Sequence, residues 1–175
     1  PPAGTCLFGK IIPHGGGDTL FANQHLALEN MPSELRSKLE GKKAIHSALV
    51  PYSPGGGYGE KDREMGRSMD IRASEDAFAK QLHPIIREHP ETKKEGIYGT
   101  IGYIIGIEGM ENQEAMKLLL ELSAWQCRDE FVYQHKWKKD MLIMWDNRSV
   151  LHRATGGYEG QERLLHRTTI AAYGV

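Results

Sequence analysis

Cysteine is scarce: the chain has two, Cys6 and Cys127, and no CxxC spacing. This excludes a disulfide framework and a thiolate metal cluster, and it fits a reducing cytoplasm. Both cysteines are expected as small buried side chains. No long apolar run occurs, the best being 141–145, far short of the ~20 residues a bilayer-spanning helix requires. No basic-apolar leader opens the sequence at Pro1-Pro2-Ala3-Gly4, so a soluble protein is expected. Charge of one sign is also lacking, with 22 Lys+Arg against 23 Asp+Glu and a net charge of -1. There is thus no electrostatic argument for a nucleic-acid or membrane partner. What remains is an ordinary globular composition, 39% hydrophobic and 26% charged over 175 residues.

Patterning predicts mostly strands. Residues 4–12 read as a strand running into the Gly-rich turn Gly15-Gly16-Gly17-Asp18. Asn23 caps a short helix reaching Asn30, Pro32 breaks it, and Leu35 with Leu39 marks a second helix that stops at Gly41. Strands are expected at 43–50, 82–89 and 97–107. Asn112 is expected to cap a helix with Ala115, Leu118, Leu119 and Leu122 on one face. Four short strands follow at 131–137, 141–145, 149–153 and 163–172. Residues 51–73 are polar and glycine-rich, a loop long enough to suggest a lid or a disordered loop. Closely spaced strands with few helices point to a sandwich or barrel.

Chemistry concentrates near the end of the sequence. Alternation puts Arg163, Leu165, Arg167 and Thr169 on one side of the last strand, with the two arginines ~13 Å apart at ~3.3 Å per residue. That separation suits two distinct anions, because a guanidinium turned inward needs an acidic partner. Solvent-facing arginines in weak surface pairs are the alternative that spacing leaves open. The glycines before Thr19 are not a phosphate loop, since no GK[ST] follows. They are expected to make a tight turn that aims Thr19.

The run Trp145-Asp146-Asn147-Arg148, then His152-Arg153-Ala154, Tyr158, Arg163, His166-Arg167 and Thr169-Ile170 resembles the C-terminal signature of the taurine dioxygenase-like family. These are Fe(II)- and 2-oxoglutarate-dependent dioxygenases that include the phenoxyalkanoate enzymes. Gly16 to Phe21, Leu82-His83-Pro84-Ile85, His89-Pro90-Glu91-Thr92 and Ile107-Glu108-Gly109-Met110 are similar to family segments in the same order, so the resemblance spans nearly the whole sequence. It implies a mainly β fold with flanking α-helices, the double-stranded β-helix or jelly roll, with its N-terminal part missing from this chain. Residues 1–175 would be the C-terminal part of a single dioxygenase domain.

By resemblance, His152 matches the distal histidine of the iron-binding facial triad. Arg163 matches the arginine that pairs with the distal carboxylate of 2-oxoglutarate, Thr19 the threonine that helps hold it, and Arg167 the arginine that binds the primary substrate's anionic group. The implied cofactor is Fe(II), with 2-oxoglutarate and O2 as co-substrates. A neutral imidazole and a planar guanidinium suit these tasks.

The sequence departs from the family in two places. It contains no HxD motif, so the other two iron ligands are expected upstream of Pro1. Gly99-Thr100 stands where relatives carry Asn, which makes taurine itself doubtful. His14 and His25 lack the context of iron ligands, and His46, His83, His89, His135 and His166 are read as structural or exposed.

The resulting expectation is a cytoplasmic, homo-oligomeric dioxygenase that hydroxylates a small anionic organic substrate of the sulfonate or aryloxyalkanoate type, with C–S or C–O cleavage. An amino-acid or carnitine-like acid hydroxylase, a halogenase with HxG upstream, and an inactive β-helix binding or scaffold protein are the competing functions.

Overall fold

The computed structural model describes residues 2–53, 55–57 and 74–172, which divide into two compact units. Most of the expected lid at 51–73 lies outside the described residues. Its start is helical, with α3 at Leu49–Tyr52.

The first unit comprises Pro1–Met31, Glu88–Ile97 and Trp125–Val175. Its strands are β1 (Gly4–Ile11), β2 (Thr19–Asn23), β6 (Glu95–Ile97), β8 (Val132–His135), β9 (Leu142–Asp146), β10 (Val150–Ala154) and β11 (Leu164–Ile170). Six of them form two antiparallel three-stranded sheets, ordered β11-β1-β9 and β10-β2-β8. From β8 to β11 the chain changes sheet at every connection, which is the winding of a jelly roll. The sheets meet through rings: Phe21 of β2 packs edge-on against Trp145 of β9 at 5.1 Å. This mainly β jelly roll with flanking helices is the architecture expected from the sequence.

Asn23 ends β2 and starts α1 (Gln24–Glu29) as predicted, its side chain accepting from the backbone N–H groups of His25 and Leu26, a cap worth about 1 kcal/mol. Beneath it, the buried Gln126 amide donates to Gln24 Oε1 at 2.9 Å, so a polar pair inside the unit satisfies itself.

The second unit, Pro32–Arg87 and Tyr98–Ala124, contains α2 (Ser33–Leu39) and the antiparallel sheet of β4 (Lys80–Pro84), β3 (Lys43–Ser47) and β7 (Ile104–Ile107). Helix α4 (Asn112–Gln126) starts here and buries Ala115, Leu118, Leu119 and Leu122 on one face, as its period requires. Leu35, Leu39, Ile85 and Ile104 complete an aliphatic core.

Several expectations need correction. Strand β2 replaces what read as turn followed directly by helix. The strand expected at 43–50 stops at Ser47, whose buried hydroxyl donates to Ala77 O and accepts from Leu49 N as α3 begins. The strand expected at 82–89 is two, β4 and β5 (Ile86–Glu88). That at 97–107 is likewise two, β6 and β7, because Gly99 takes φ +100 and turns the chain. Residue 131 ends a single 3-10 turn, Asp129–Phe131. Glu111, and not Asn112, caps α4, its Oε2 accepting from Gln113 N and Glu114 N. Cys6 is partly buried, but Cys127 is exposed just after α4 ends.

Candidate active site

Register on the β10-β2-β8 sheet assembles the site. Thr19 lies between Ala154 of β10 and His135 of β8, and Phe21 between His152 and Tyr133. Opposed residues share a face and residues two apart return to it. Thr19, His152 and His135 therefore project from one face, toward the sheet that carries Trp145.

His152 sits against Trp145 at 4.8 Å and Phe21 at 6.5 Å between ring centroids. One side of its imidazole stays open to solvent while protein atoms crowd the other. That crowding lowers its pKa, and the positive charge of Arg167 lowers it further. The ring is held neutral, the form that ligates metal. Arg167 pairs with Leu7, two residues along β1 from Thr5, the partner of Trp145, so Arg167 shares the face that carries Trp145.

Thr19 is buried, and its Oγ1 accepts a hydrogen bond from the Trp137 indole N–H at 3.0 Å. Indole can only donate, so the threonine hydrogen is left to donate elsewhere. On the opposite face Asp18 is occupied, accepting from Gln134 Nε2 at 2.6 Å.

Arg163 precedes β11. Its Nε donates to Gly17 O at 3.1 Å, and its guanidinium lies 5.5 Å from the centre of the Tyr158 ring. Gly17 has φ +68, and a Cβ there would fall 2.8 Å from Arg163 Nε. The Gly-rich turn thus leaves space for the arginine as well as leading into Thr19. Among the described residues neither Arg163 nor Arg167 pairs with a carboxylate, whereas Arg148 pairs with both Asp146 and Glu91. Two guanidinium groups without acidic partners, and a hydroxyl with a hydrogen to give, are donors suited to anions.

The Trp-Asp-Asn-Arg run divides its labour. Only Trp145 faces the site; its buried Nε1 has no hydrogen-bond partner among the described residues. Asn147 donates to Thr5 Oγ1 at 2.9 Å and to Pro2 O at 3.2 Å, fixing β1. Asp146 accepts from His89 Nε2 at 2.9 Å and from Arg148 Nη2 at 2.6 Å. Burial would raise the Asp146 pKa, but these hydrogen bonds outweigh it and hold the carboxyl well below the usual range. Hydrogen bonding to Asp146 correspondingly raises the pKa of Arg148.

His89 is buried, and its Nδ1 accepts from Glu91 N and Thr92 N. That leaves the proton on Nε2, where it meets Asp146. The HxE spacing at His89-Pro90-Glu91 is therefore a turn lock: its imidazole is bound to Asp146 and its carboxylate to Arg148. Among the described residues no three His, Cys, Asp or Glu side chains converge on a metal site, so His152 stands as a single candidate ligand.

The structure brings together all four residues singled out by sequence, Thr19, His152, Arg163 and Arg167, in one unit. Sequence reasoning passed over Trp137, quoted Trp145 without giving it a role, and read His135 as structural or exposed. Their face assignment depends on long-range register.

The chain belongs to the taurine catabolism dioxygenase TauD, TfdA family, whose model matches residues 1–169. It is 32% identical over 164 residues to the alpha-ketoglutarate-dependent 2,4-dichlorophenoxyacetate dioxygenase of Cupriavidus pinatubonensis, covering 93% of this chain and 53% of that protein. It is 30% identical over 174 residues to the alkylsulfatase of Acinetobacter baylyi, covering 97% of this chain and 52% of that protein. The chain thus spans about half the length of these curated relatives.

Among solved structures, AAD-2 in complex with Mn(II) and N-oxalylglycine superposes with a TM-score of 0.79 at 26% identity, covering 99% of this chain and 64% of that one. A taurine dioxygenase from Burkholderia xenovorans gives a TM-score of 0.76 at 28% identity, covering 97% of this chain and 52% of that one.

Proposed function

We propose that this chain carries the 2-oxoglutarate pocket and one metal ligand of an Fe(II)-dependent dioxygenase that hydroxylates a small anionic organic substrate. The observation that carries the reading is the convergence, in one unit, of a neutral His152, a hydrogen-donating Thr19 and the unpaired Arg163 and Arg167. Relatives named for 2,4-dichlorophenoxyacetate, phenoxypropionate and sulfonates support a substrate of this kind.

In this reading His152 holds the metal, which together with 2-oxoglutarate and O2 supplies the oxidising chemistry. Arg163 and Thr19 bind the distal carboxylate of 2-oxoglutarate, and Tyr158 and Gly17 fix the guanidinium that does so. Arg167 would bind the substrate's anionic group and so fix the substrate's orientation. Trp145 and Phe21 back the imidazole and exclude water from that side. Hydroxylation at a carbon bearing sulfur or oxygen gives a product that breaks the C–S or C–O bond. A cytoplasmic homo-oligomer is part of the proposal, supported by two unpaired cysteines and the exposed Leu142 and Met144 of β9; sedimentation of the purified protein tests the assembly.

The enzymatic test uses the full-length protein with Fe(II), 2-oxoglutarate and a panel of sulfonates and aryloxyalkanoates, with succinate as readout. Succinate formation that depends on one of these acids is expected. No turnover with any of them, coupled or uncoupled, overturns the proposal. Arg163→Ala should chiefly weaken 2-oxoglutarate, and Arg167→Ala chiefly the primary substrate.

A further inference from the structure

His135 has a buried Nε2 atom without a hydrogen-bond partner among the described residues. A buried ring nitrogen left unpaired costs free energy, so such an atom at a binding face calls for a missing partner. The position of the residue limits what that partner is. His135 is directly opposite Thr19 in the β2–β8 ladder, where facing Cβ atoms lie ~4.5–5.5 Å apart. The Trp137 indole donates to Thr19 Oγ1 on that same face. Edge-on contact with Trp137 at 4.8 Å and contact with Tyr133 at 6.2 Å hold the imidazole in a row of rings.

Two donors flank this stretch of β2: the Thr19 hydroxyl, which keeps a hydrogen to give, and the Arg163 guanidinium, held at Gly17 two residues before Thr19. No described carboxylate reaches His135. A ligand that satisfies all three groups has to bring several acceptor oxygens on one small head, as a carboxylate does.

Building on the reading of Thr19 and Arg163 as 2-oxoglutarate ligands, we propose that His135 is a third ligand of the same distal carboxylate, donating through Nε2–H. His135 then sets selectivity for a 2-oxo acid that ends in a carboxylate. Its place two residues before Trp137 links it to the residue that orients the Thr19 hydroxyl.

The test measures binding, without turnover, to the full-length protein loaded with Mn(II). Calorimetry compares 2-oxoglutarate with 2-oxopentanoate, which has the same carbon chain but a methyl group in place of the distal carboxylate. In His135→Phe, 2-oxoglutarate affinity should fall about tenfold, the size of one hydrogen bond to a charged group, while 2-oxopentanoate affinity stays unchanged. His135→Gln, which keeps a donor, should recover part of the loss. Equal changes for the two acids, or no change for either, overturn the proposal.

Arg163→Ala serves as the control. If it binds 2-oxoglutarate as tightly as the parent protein, the underlying carboxylate pocket is wrong; if it alone loses affinity, only the role of His135 is wrong. A measurement on the unmutated protein avoids dependence on variant folding. The ¹⁵N resonance of His135 Nε2 should move on addition of 2-oxoglutarate and not of 2-oxopentanoate, and an unmoved resonance rejects the contact.

Discussion

Arg163 Nε donates to the carbonyl of Gly17 at 3.1 Å, and the missing side chain of Gly17 is what lets the arginine come so near. One hydrogen bond thereby ties the turn before β2 to the start of β11, residues far apart in sequence. The turn's left-handed backbone and the arginine's position depend on the same residue.

Gly17→Ala should therefore harm stability and binding together. A non-glycine residue at φ +68 costs roughly 1–2 kcal/mol, and the new Cβ displaces the guanidinium. A lower urea midpoint with at least about tenfold weaker 2-oxoglutarate binding is expected. Calorimetry on a folded variant with unchanged affinity would refute the placement role.

Thr19→Val keeps the shape and removes the hydroxyl. The Trp137 N–H is then buried with no acceptor, at a cost of about 1–3 kcal/mol. Thermal unfolding should show a fall of several degrees in Tm. Cofactor affinity should also fall, because valine cannot donate to a carboxylate.

Asp146→Ala is expected to act on stability without touching the anion pocket. It strips partners from buried His89 and from Arg148 at once, with an expected loss of about 2–3 kcal/mol. The sign for acid follows from the depressed pKa of Asp146: the contribution is complete above the ordinary carboxylate pKa and is lost as pH falls below it. Denaturation curves of parent and variant should accordingly converge at low pH.

In the second unit, His46 stacks on Tyr98 at 5.5 Å and meets His83 edge-on at 4.9 Å, with the Arg87 guanidinium 3.8 Å from the Tyr98 ring centre. Burial, then the neighbouring His83 and Arg87, push its pKa down to about 4. A base with a depressed folded-state pKa stabilises the fold in its neutral form. That stability is complete above the ordinary histidine value near 6.5 and is lost as pH falls toward about 4. Urea midpoints should decline through this window, and His46→Phe should flatten the decline; equal slopes would exclude His46 as the titrating group.

Local signals were legible where a residue acts on its own neighbours. The Asn23 cap, the break at Pro32 and the apolar face of α4 could all be read from spacing. Strand β2 could not, because Thr19 to Asn23 is short and runs straight into a helix; only pairing with β8 and β10 makes it a strand. The same non-locality hid the fate of His89, whose partner Asp146 lies 57 residues away, and the face on which His135 sits. Thr19, His152, Arg163 and Arg167 were singled out because the motifs that contain them resemble a family. Alternation alone left the arginines ambiguous.

The pairing of β1 with β11, from Gly4 with Ile170 to Ile11 with Leu164, has a consequence for biosynthesis. One flank of β1 leaves the ribosome well before β11, its neighbour in the sheet, has been made. Until residue 170 is made, that edge is open to pairing with another chain, and Arg163 and Arg167 have no strand to place them. Chaperone demand and sensitivity to loss of residues 163–170 should therefore be high, since that loss removes both guanidinium groups and uncovers one flank of β1.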